Sequence, residues 1–381
     1  MCKFNINIRP LVILIFAALI VDPVAASEDE RFRNILSKVV NDADIVGLAA
    51  AVVRNGEVSF IQTYGSRDTA GSGKVDQQTT FRIASLSKAF AATVAVQLEL
   101  EDKLSLEASA ISFNRSFQLK NQAQAELVTL ADVLSHRLSL PPYAYDNLLE
   151  AGKVPSKILS EMKKVTPICK VGKCYAYQNV GFNMIAPAIE AVDEQSYATS
   201  VEKRLFEPLG MTGASFGKDA LLSTDNWASS YTRTRNGKWR LVSVKQPYYD
   251  VPAAGGVNAN IVDMSHWLLA QLGNAPNVLS KQALRRLQSP QVSTPRESRR
   301  VRYMSHISET HYGLGWRIYQ YKGAKVVTHS GSVEGYGAQI AFIPEMDVGI
   351  VLLTNSKTRE FWRILPKFLD LELGLDSAPG Q

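Results

Sequence analysis

The sequence predicts an α+β fold in which an antiparallel sheet, built from both ends of the chain, is flanked by helices and carries a large, mostly helical insertion. Two strand-like segments, residues 47–54 and 57–65, are separated by Asn55-Gly56, a pair typical of a tight hairpin turn. Three more strand-like segments follow near the C-terminus, at residues 325–329, 336–343 and 348–355. One sheet that uses both chain ends is the simplest architecture for this order.

Helical patterns separate these two groups of strands. Residues 81–100 are expected to form a long helix with Ala, Val and Leu on its buried face, and residues 361–373 a closing helix that Pro366 kinks or starts. We place the sheet part at about 27–105 and 310–381 and the helical part at about 106–309. Within the helical part, the clearest helical patterns lie at residues 129–135, 182–192 and 264–272.

The first 26 residues have the features of a secretion signal. Lys3 and Arg9 give a positive start, residues 11–21 are an apolar run, and small residues precede a cleavage site after Ala26. The run is shorter than the roughly 20 residues that a bilayer requires. We therefore expect a secreted or periplasmic mature chain, residues 27–381, with no stable membrane span; an uncleaved membrane anchor is the alternative.

The cysteines fit an oxidising compartment. Cleavage would remove Cys2 and leave Cys169 and Cys174, which flank a short loop with a glycine. This favours a disulfide between them; two free buried thiols are the alternative.

Charge and histidine spacing exclude several classes of function. The formal net charge of +6 is mild, and the densest basic run, residues 296–302, has none of the interleaved aromatic residues of a nucleic-acid site. We expect no nucleic-acid partner. We also expect no metal and no organic cofactor, because four histidines show no metal-ligand spacing: His136, His266, His306 and His311.

Ser85 and Lys88 are the first candidates for chemistry. Residues three apart lie on one face of a helix, so the lysine lies one turn below the serine hydroxyl. A lysine of lowered pKa can accept the serine proton, and a helix N-terminus favours developing negative charge. Only this pair opens a long apolar helix. The same spacing also occurs at Ser160 with Lys163, Ser200 with Lys203 and Ser215 with Lys218.

Two later segments carry groups that suit the same chemistry. In Tyr177-Gln178-Asn179, a tyrosine beside a cation can act as a general base, and the asparagine amide can bind a substrate carbonyl. In His329-Ser330-Gly331-Ser332, at a strand end, the glycine lets a substrate approach the backbone, whose amides can bind an oxyanion. We interpret the similar segments Tyr145-Asp146-Asn147 and His311-Tyr312-Gly313 as structural.

These elements in this order resemble the serine hydrolases of the class C β-lactamase type. That family includes penicillin-binding D-alanyl-D-alanine carboxypeptidases, D-aminopeptidases and related esterases, and the resemblance covers roughly residues 35–370. It implies the β-lactamase/transpeptidase-like form of the predicted fold. Further matching segments are Phe81-Arg82-Ile83-Ala84, Leu134-Ser135-His136-Arg137 with Leu140-Pro141, Pro208-Leu209-Gly210-Met211, Gly255-Gly256-Val257 and Tyr312-Gly313-Leu314-Gly315-Trp316.

The resemblance implies a role for each matching residue. Ser85 attacks and Lys88 hydrogen-bonds it, while Tyr177 shuttles the serine proton and protonates the leaving group. Asn179 orients the substrate amide. The backbone N–H groups of Ser85 and Ser332 form the oxyanion hole.

The sequence departs from the family pattern at two places. His329 stands where the β-lactamases of this type carry lysine, and Ser330 and Gly331 continue that strand. Because imidazole is mostly neutral at neutral pH, His329 is weaker than lysine as an anion-binding group of the substrate site. Some peptidases and esterases of the family also carry histidine here, so the change argues against assuming a dedicated β-lactamase. Arg137-Leu138-Ser139 replaces the Thr/Ser-Gly run of many relatives, without a clear chemical consequence.

The sequence therefore predicts an acyl-serine hydrolase that acts on amide bonds of β-lactams or D-Ala peptides, with water activated through Tyr177 in the second step. Two alternatives remain open. One is a carboxylesterase of the same family, and the other is a penicillin-binding or sensor protein that deacylates slowly. The expected partner is a small-molecule or peptide substrate: a β-lactam, a peptidoglycan fragment or an ester.

Overall fold

The computed structural model describes residues 23–69, 71, 73–301 and 303–375. Residues 1–22, which form most of the expected secretion signal, lie outside this range. A helix (α1, Pro23–Asp42) starts the described chain, so the expected cleavage site falls in its first turn. Over the described residues, no helix combines the length and the apolar character needed to cross a membrane.

The core of the fold is an eight-stranded, fully antiparallel sheet, which confirms the predicted α+β class. Across the sheet the strands run β2-β1-β8-β7-β6-β5-β4-β3, so the N-terminal hairpin pairs with the last strand. Numbered along the chain, the strands are β1 Gly47–Arg54, β2 Glu57–Gly65, β3 Val292–Ser293, β4 Ile307–Tyr312, β5 Arg317–Tyr321, β6 Ala324–Val333, β7 Tyr336–Ile343 and β8 Val348–Thr354.

Helices cover both faces of the sheet. Successive side chains of a strand point to opposite faces, and β1 illustrates this because every one of its residues is buried. Ala49 and Ala51 pack in the core that contains α2 (Ser87–Leu100) and α3 (Ile261–Leu272), whereas Ala50 and Val52 pack with α1 and α4 (Ile364–Glu372). The central strands are therefore continuous apolar runs rather than alternating ones.

The remaining elements are short. They connect the sheet to a region beside it in which helices predominate. The short helices are Gln122–Glu126, Leu130–Leu134, Asp146–Glu150, Pro155–Glu161, Ile185–Asp193, Tyr197–Val201, Lys218–Leu222, Pro252–Gly255, Lys281–Leu287, Glu297–Arg300 and Arg359–Trp362. The short 3₁₀ helices are Ala84–Leu86, Ala110–Ser112, Met162–Lys164, Phe182–Met184, Pro247–Asp250 and Pro344–Met346, and Glu202–Phe206 is a π-helical turn. The small strands are Phe81–Arg82, Ser215–Phe216 and Val257–Ala259 in one sheet, with Ser230–Arg233 and Trp239–Val242 in a hairpin.

The structure refines three expectations about boundaries. The helix expected over 81–100 begins at Ser87, because residues 81–82 pair as a strand with residues 258–259. The closing helix is split, and Pro366 is the third residue of α4, where no intrahelical bond needs its missing N–H. The region expected to be an insertion, residues 106–309, also contributes to the sheet part. It contains β3 and the start of β4, and it contains α3, which packs on β1 and β8.

Candidate active site

Ser85 lies on a single helical turn, Ala84–Leu86, directly before α2. Ala84 has a φ of 49°, a left-handed conformation that is uncommon for a residue with a side chain. Ser87 secures this turn, since its hydroxyl donates to the Ala84 carbonyl at 2.7 Å and accepts from the Val257 N–H at 3.1 Å. Ser85 is thereby held at the entrance to the helix.

Lys88 is completely buried one turn further on. Its Nζ lies 3.3 Å from Oγ of Ser85, 2.9 Å from Oδ1 of Asn179 and 2.8 Å from the carbonyl oxygen of Ala254. Burial holds the pKa of Lys88 well below its ordinary value; the charge of Asp146 opposes this effect and that of Arg317 adds to it. The three oxygen neighbours can take the three hydrogens of an ammonium, as in the bond from Nζ to Oγ of Ser85. A neutral amine can instead direct its two hydrogens to the two carbonyl-type oxygens and its lone pair to the serine hydroxyl.

Tyr177 approaches Ser85 from the helical region. A hydrogen bond joins the Tyr177 and Ser85 side chains, and Nζ of Lys88 lies 4.8 Å from the centre of the tyrosine ring. Burial raises the pKa of Tyr177 above its ordinary value, although Arg317 and the bond to Ser85 lower it. Tyr177 is therefore a neutral phenol in the resting site and has a proton to donate.

Asn179 and Asp146 form a second pair beside Lys88. Nδ2 of Asn179 donates to Oδ2 of Asp146 at 2.6 Å, while its Oδ1 accepts from Lys88. The orientation of the amide is thus fixed, and one Nδ2 hydrogen remains for a substrate. Asp146 belongs to the segment interpreted from sequence as structural, and the structure places it in the lining of the cleft, where it binds Asn179. Its pKa is raised by burial, against the effects of Asn179 and Lys88.

The C-terminal half of β6 passes directly against the Ser85 turn. Beyond Thr328 the register of β6 with β5 ends, whereas pairing with β7 continues to Val333. A Cβ atom on Gly331 would lie 2.2 Å from the Ile83 carbonyl oxygen and 3.1 Å from the Ser85 nitrogen, so a glycine is required here. Ser330 and Ser332, on either side of it, line the cleft.

His329 lies behind this strand edge instead of lining the cleft. Its side chain is completely buried; Nε2 lies 3.0 Å from the Tyr312 hydroxyl and 3.3 Å from Nη1 of Arg317, and Nδ1 lies 3.0 Å from the Ser330 carbonyl. Burial, and then Arg317, hold the pKa of His329 well below its ordinary value. The structure therefore brings His329 near Tyr177, with ring centres 6.3 Å apart, but as a neutral group.

Arg317 is the cation that sequence reasoning missed. It lines the cleft, and its Cζ lies 5.2 Å from the centre of the Tyr177 ring. Its Nε forms an ion pair with Oε2 of Glu297 at 3.4 Å. It directly follows Tyr312-Gly313-Leu314-Gly315-Trp316, a segment that the sequence singled out, and this was the available signal. Tyr312, interpreted as purely structural, also contacts the site residues His329 and Arg317.

The expected disulfide between Cys169 and Cys174 is present. Its loop is attached to the neighbouring segment, because Ile168 N–H donates to the Ser139 carbonyl at 2.9 Å and Gly172 N–H to the Arg137 carbonyl at 3.0 Å. Cys174 lies three residues before Tyr177. The disulfide therefore restrains the start of the segment that carries the tyrosine.

The site opens onto a cleft of about 860 Å³. Its lining contains the Ser85, Tyr177 and Asn179 side chains and has both signs of charge. Among residues 23–69, 71, 73–301 and 303–375, no cluster of three or more His, Cys, Asp or Glu side chains could hold a metal ion. The charged lining residues are Asp146, Glu150, Glu297, Arg317, Lys357, Arg359 and Arg363.

The fold is that of the β-lactamase-type serine hydrolases, and the side chains of Ser85, Lys88 and Tyr177 meet within it. Residues 32–372 match the family model described as Beta-lactamase. The chain belongs to this family, which confirms the resemblance inferred from its motifs.

Solved structures and curated relatives agree with this assignment. The octameric penicillin-binding protein homologue from Pyrococcus abyssi superposes with a TM-score of 0.80 at 25% identity, covering 91% of this chain and 77% of that one. A mutant class C β-lactamase superposes with a TM-score of 0.73 at 21% identity, covering 91% of this chain and 98% of that one, and supports the fold alone.

Two curated relatives are similar over most of this chain. The unguisins hydrolase ungD' of Aspergillus campestris is 25% identical over 86% of this chain and 62% of its own length. Protein flp of Staphylococcus aureus is 25% identical over 86% of this chain and 63% of its own length. The chain thus spans less than two thirds of either relative.

Proposed function

We propose that this protein is a secreted or periplasmic hydrolase that forms an acyl-enzyme on Ser85 and acts on amide bonds of β-lactams or D-Ala peptides. One observation carries the proposal: the Ser85 hydroxyl contacts a buried lysine amine and a buried tyrosine phenol at the same time. A hydroxyl between a proton acceptor and a proton donor is what acyl transfer requires.

In the proposed acylation step, Ser85 gives its proton to Lys88 as its oxygen bonds to the substrate carbonyl carbon. The lowered pKa of Lys88 favours this direction of transfer. The tetrahedral intermediate then loses its leaving nitrogen, which takes the proton of the Tyr177 phenol. Lys88 returns a proton to the phenolate, so both groups are neutral again in the acyl-enzyme.

In the proposed deacylation step, water adds to the ester carbon of the acyl-enzyme. Tyr177 accepts the water proton as its own passes to Lys88, and the departing Ser85 oxygen takes that proton back. The carbonyl oxygen becomes negative in both steps. The close approach of β6 to the Ser85 nitrogen supports the backbone N–H groups of Ser85 and Ser332 as its donors.

The charges of the cleft support a substrate that carries a carboxylate. Arg317, Lys357, Arg359 and Arg363 all line it, and arginine in particular binds carboxylates through paired hydrogen bonds. β-Lactams and D-Ala peptides carry a carboxylate near the scissile amide, whereas a simple ester does not. Asn179, with one free amide hydrogen, suits the carbonyl of a peptide-like acyl group.

The proposed location rests on the apolar N-terminal run with its small-residue site, and the disulfide supports it, since such bonds persist in oxidising compartments. Expression of the full chain with a C-terminal tag, followed by fractionation and N-terminal sequencing, tests this part. We expect a mature N-terminus at Ser27 outside the cytoplasm. An intact Met1 in the cytoplasm would contradict it.

A three-substrate assay tests the activity. Nitrocefin, a D-Ala-D-Ala peptide and a short-chain p-nitrophenyl ester are offered to the wild type and to Ser85→Ala. We expect turnover of an amide substrate by the wild type and a loss of at least about 10³-fold in the variant. Cleavage of the ester alone would favour the esterase. A wild type that becomes labelled but does not turn over would favour a penicillin-binding or sensor role.

A further inference from the structure

We propose that His136 is a positioning residue. It holds the Tyr177 phenol next to Ser85 and links the Tyr177 segment to the edge of β6 that borders the cleft. This inference rests on the proposed function, because it assigns His136 a purpose in the reaction that Tyr177 serves. His136 comes from Leu134-Ser135-His136-Arg137, a segment that the proposed steps leave without a role.

His136 binds the backbone on both sides of Tyr177. Its carbonyl oxygen accepts from the Ala176 N–H at 2.9 Å, and its Nδ1 accepts from the Gln178 N–H at 3.1 Å. Its ring also packs on the Tyr177 ring, with centres 4.3 Å apart. One residue thus restrains the backbone before the tyrosine, the backbone after it and the phenol ring itself.

The local conformation of His136 makes these contacts possible. The helix Leu130–Leu134 ends just before it, and His136 has a φ of 59°, in the left-handed region. Such a conformation is unfavourable for a non-glycine residue and is kept only where the surroundings fix it. Here it turns both the carbonyl and the ring of His136 towards the Tyr177 segment.

The other ring nitrogen of His136 connects Tyr177 to β6. Because Nδ1 accepts the Gln178 N–H, the proton of a neutral His136 is on Nε2, which donates to the Tyr312 hydroxyl at 3.2 Å. That hydroxyl donates in turn to Nε2 of His329, which Nη1 of Arg317 also approaches to 3.3 Å, and the Nδ1 proton of His329 binds the Ser330 carbonyl.

Because Arg317 can only donate to Nε2 of His329, that nitrogen is an acceptor, and the hydrogen bonds run in one direction, from His136 through Tyr312 to His329. Burial, with the charge of Arg317, holds the pKa of His136 well below its ordinary value, which keeps the ring in the neutral form that these hydrogen bonds need. These hydrogen bonds thereby fix the position of the Tyr177 segment relative to the edge of β6.

A buried histidine that only fills space would behave differently from a positioning residue. Its loss would lower the free energy of unfolding but leave the turnover number of the folded molecules unchanged. Loss of positioning lowers kcat with little change in KM, because the substrate still binds while the phenol is displaced. A misplacement of about 1 Å can cost about 10²-fold in rate.

Three substitutions separate the two ring contacts. His136→Ala removes both. His136→Asn keeps an acceptor near the place of Nδ1 but loses the donor to Tyr312, and His136→Gln reaches towards Tyr312 but loses the acceptor for Gln178. His266→Ala is the matched control, since His266 does not line the cleft and, within the described part of the chain, its ring is hydrogen-bonded to the Gly210 carbonyl alone, at 3.3 Å.

The experiment measures kcat and KM for these variants and for Ser85→Ala, with the best of the three substrates, together with thermal unfolding. We expect about a 10²-fold lower kcat for His136→Ala with KM within about threefold, partial rescue by His136→Asn, less by His136→Gln, and wild-type values for His266→Ala. A folded His136→Ala with wild-type kcat would overturn the inference.

Should His136→Ala fail to fold, the paired variants decide, and equal kcat values for His136→Asn and His136→Gln would overturn the inference. The role of Ser85 is read separately. An active Ser85→Ala would overturn the proposed function. An inactive Ser85→Ala beside a fully active His136→Ala would overturn the positioning role alone.

Discussion

Nζ of Lys88 lies 3.3 Å from Oγ of Ser85, although no part of the Lys88 side chain reaches solvent. The Asp146 carboxylate, whose charge favours the ammonium form, is hydrogen-bonded to Asn179. Desolvation therefore dominates, and the lysine of this pair is suited to accept a proton. Because this relationship concerns protonation, its consequences are clearest in pH dependence.

Two substitutions should move the acid limb of the pH–rate profile in opposite directions. Neutral Lys88 is the active form, so activity is present above its pKa and lost as the pH falls through it. Asp146 raises and Arg317 lowers that pKa. Asp146→Asn should therefore move the limb of kcat/KM to lower pH, and Arg317→Gln should move it to higher pH.

Steady-state kcat/KM against pH, measured for both variants and the wild type, checks this prediction. Glu107→Gln is the control, because Glu107 is 74% exposed and does not line the cleft. Shifts of the same sign in both variants would show that another group controls the limb.

Removing the phenol of Tyr177 should lower activity without unfolding the protein. Tyr177→Phe keeps the ring against His136 but leaves no donor for the leaving group, so we expect a loss of about 10²–10⁴-fold in kcat. Tyr197→Phe is the matched control, because the buried Tyr197 hydroxyl has no hydrogen-bond partner among the described residues. A Tyr177→Phe variant as active as Tyr197→Phe would remove the tyrosine from the reaction.

Gly331→Ala should disable the site through the backbone. The added methyl group would collide with the Ile83 carbonyl and push β6 away from the Ser85 nitrogen, with a stability cost of about 1–3 kcal/mol. Gly349→Ala also overpacks the sheet, against Leu268 and Phe342, but away from the cleft. Denaturation and active-site-normalised kcat should show both variants destabilised and only Gly331→Ala inactive; equal specific activities would contradict the prediction.

The disulfide should stabilise the fold and also help to position Tyr177. Closing a loop of this length stabilises a fold by about 2 kcal/mol in the chain-entropy model, so the Cys169→Ser, Cys174→Ser double variant should unfold at lower denaturant concentration. Its kcat should also fall, since the loop restrains the segment before Tyr177. Unchanged kcat and unfolding midpoint would mean that the backbone bonds alone hold this loop.

The sequence predicts best what depends on neighbouring residues. Strand β7 was expected at its observed bounds, and the spacing of Ser85 and Lys88 was enough to place both on one helix face. The start of α2 was not predictable from periodicity, because apolar residues run through Ala84, where the chain turns into a left-handed conformation.

Contacts between distant segments could not be predicted in this way. Asp146 reaches Asn179, and Arg317 reaches His329, only because the fold brings separate elements together. In the sequence, Tyr145-Asp146-Asn147 looks as much like a catalytic element as Tyr177-Gln178-Asn179 does. The burial of the His329 side chain could not be predicted either, because the position of a residue in a strand does not show which side chains will surround it.

The most direct test of the account is the covalent state of Ser85 during the reaction. Rapid quenching followed by intact-mass and peptide mass spectrometry, on the wild type and on Ser85→Ala mixed with a penicillin or a p-nitrophenyl ester, measures it. We predict an acyl adduct on the peptide that contains Ser85 in the wild type and none in the variant. Hydrolysis without any adduct, or the same adduct in Ser85→Ala, would contradict the account.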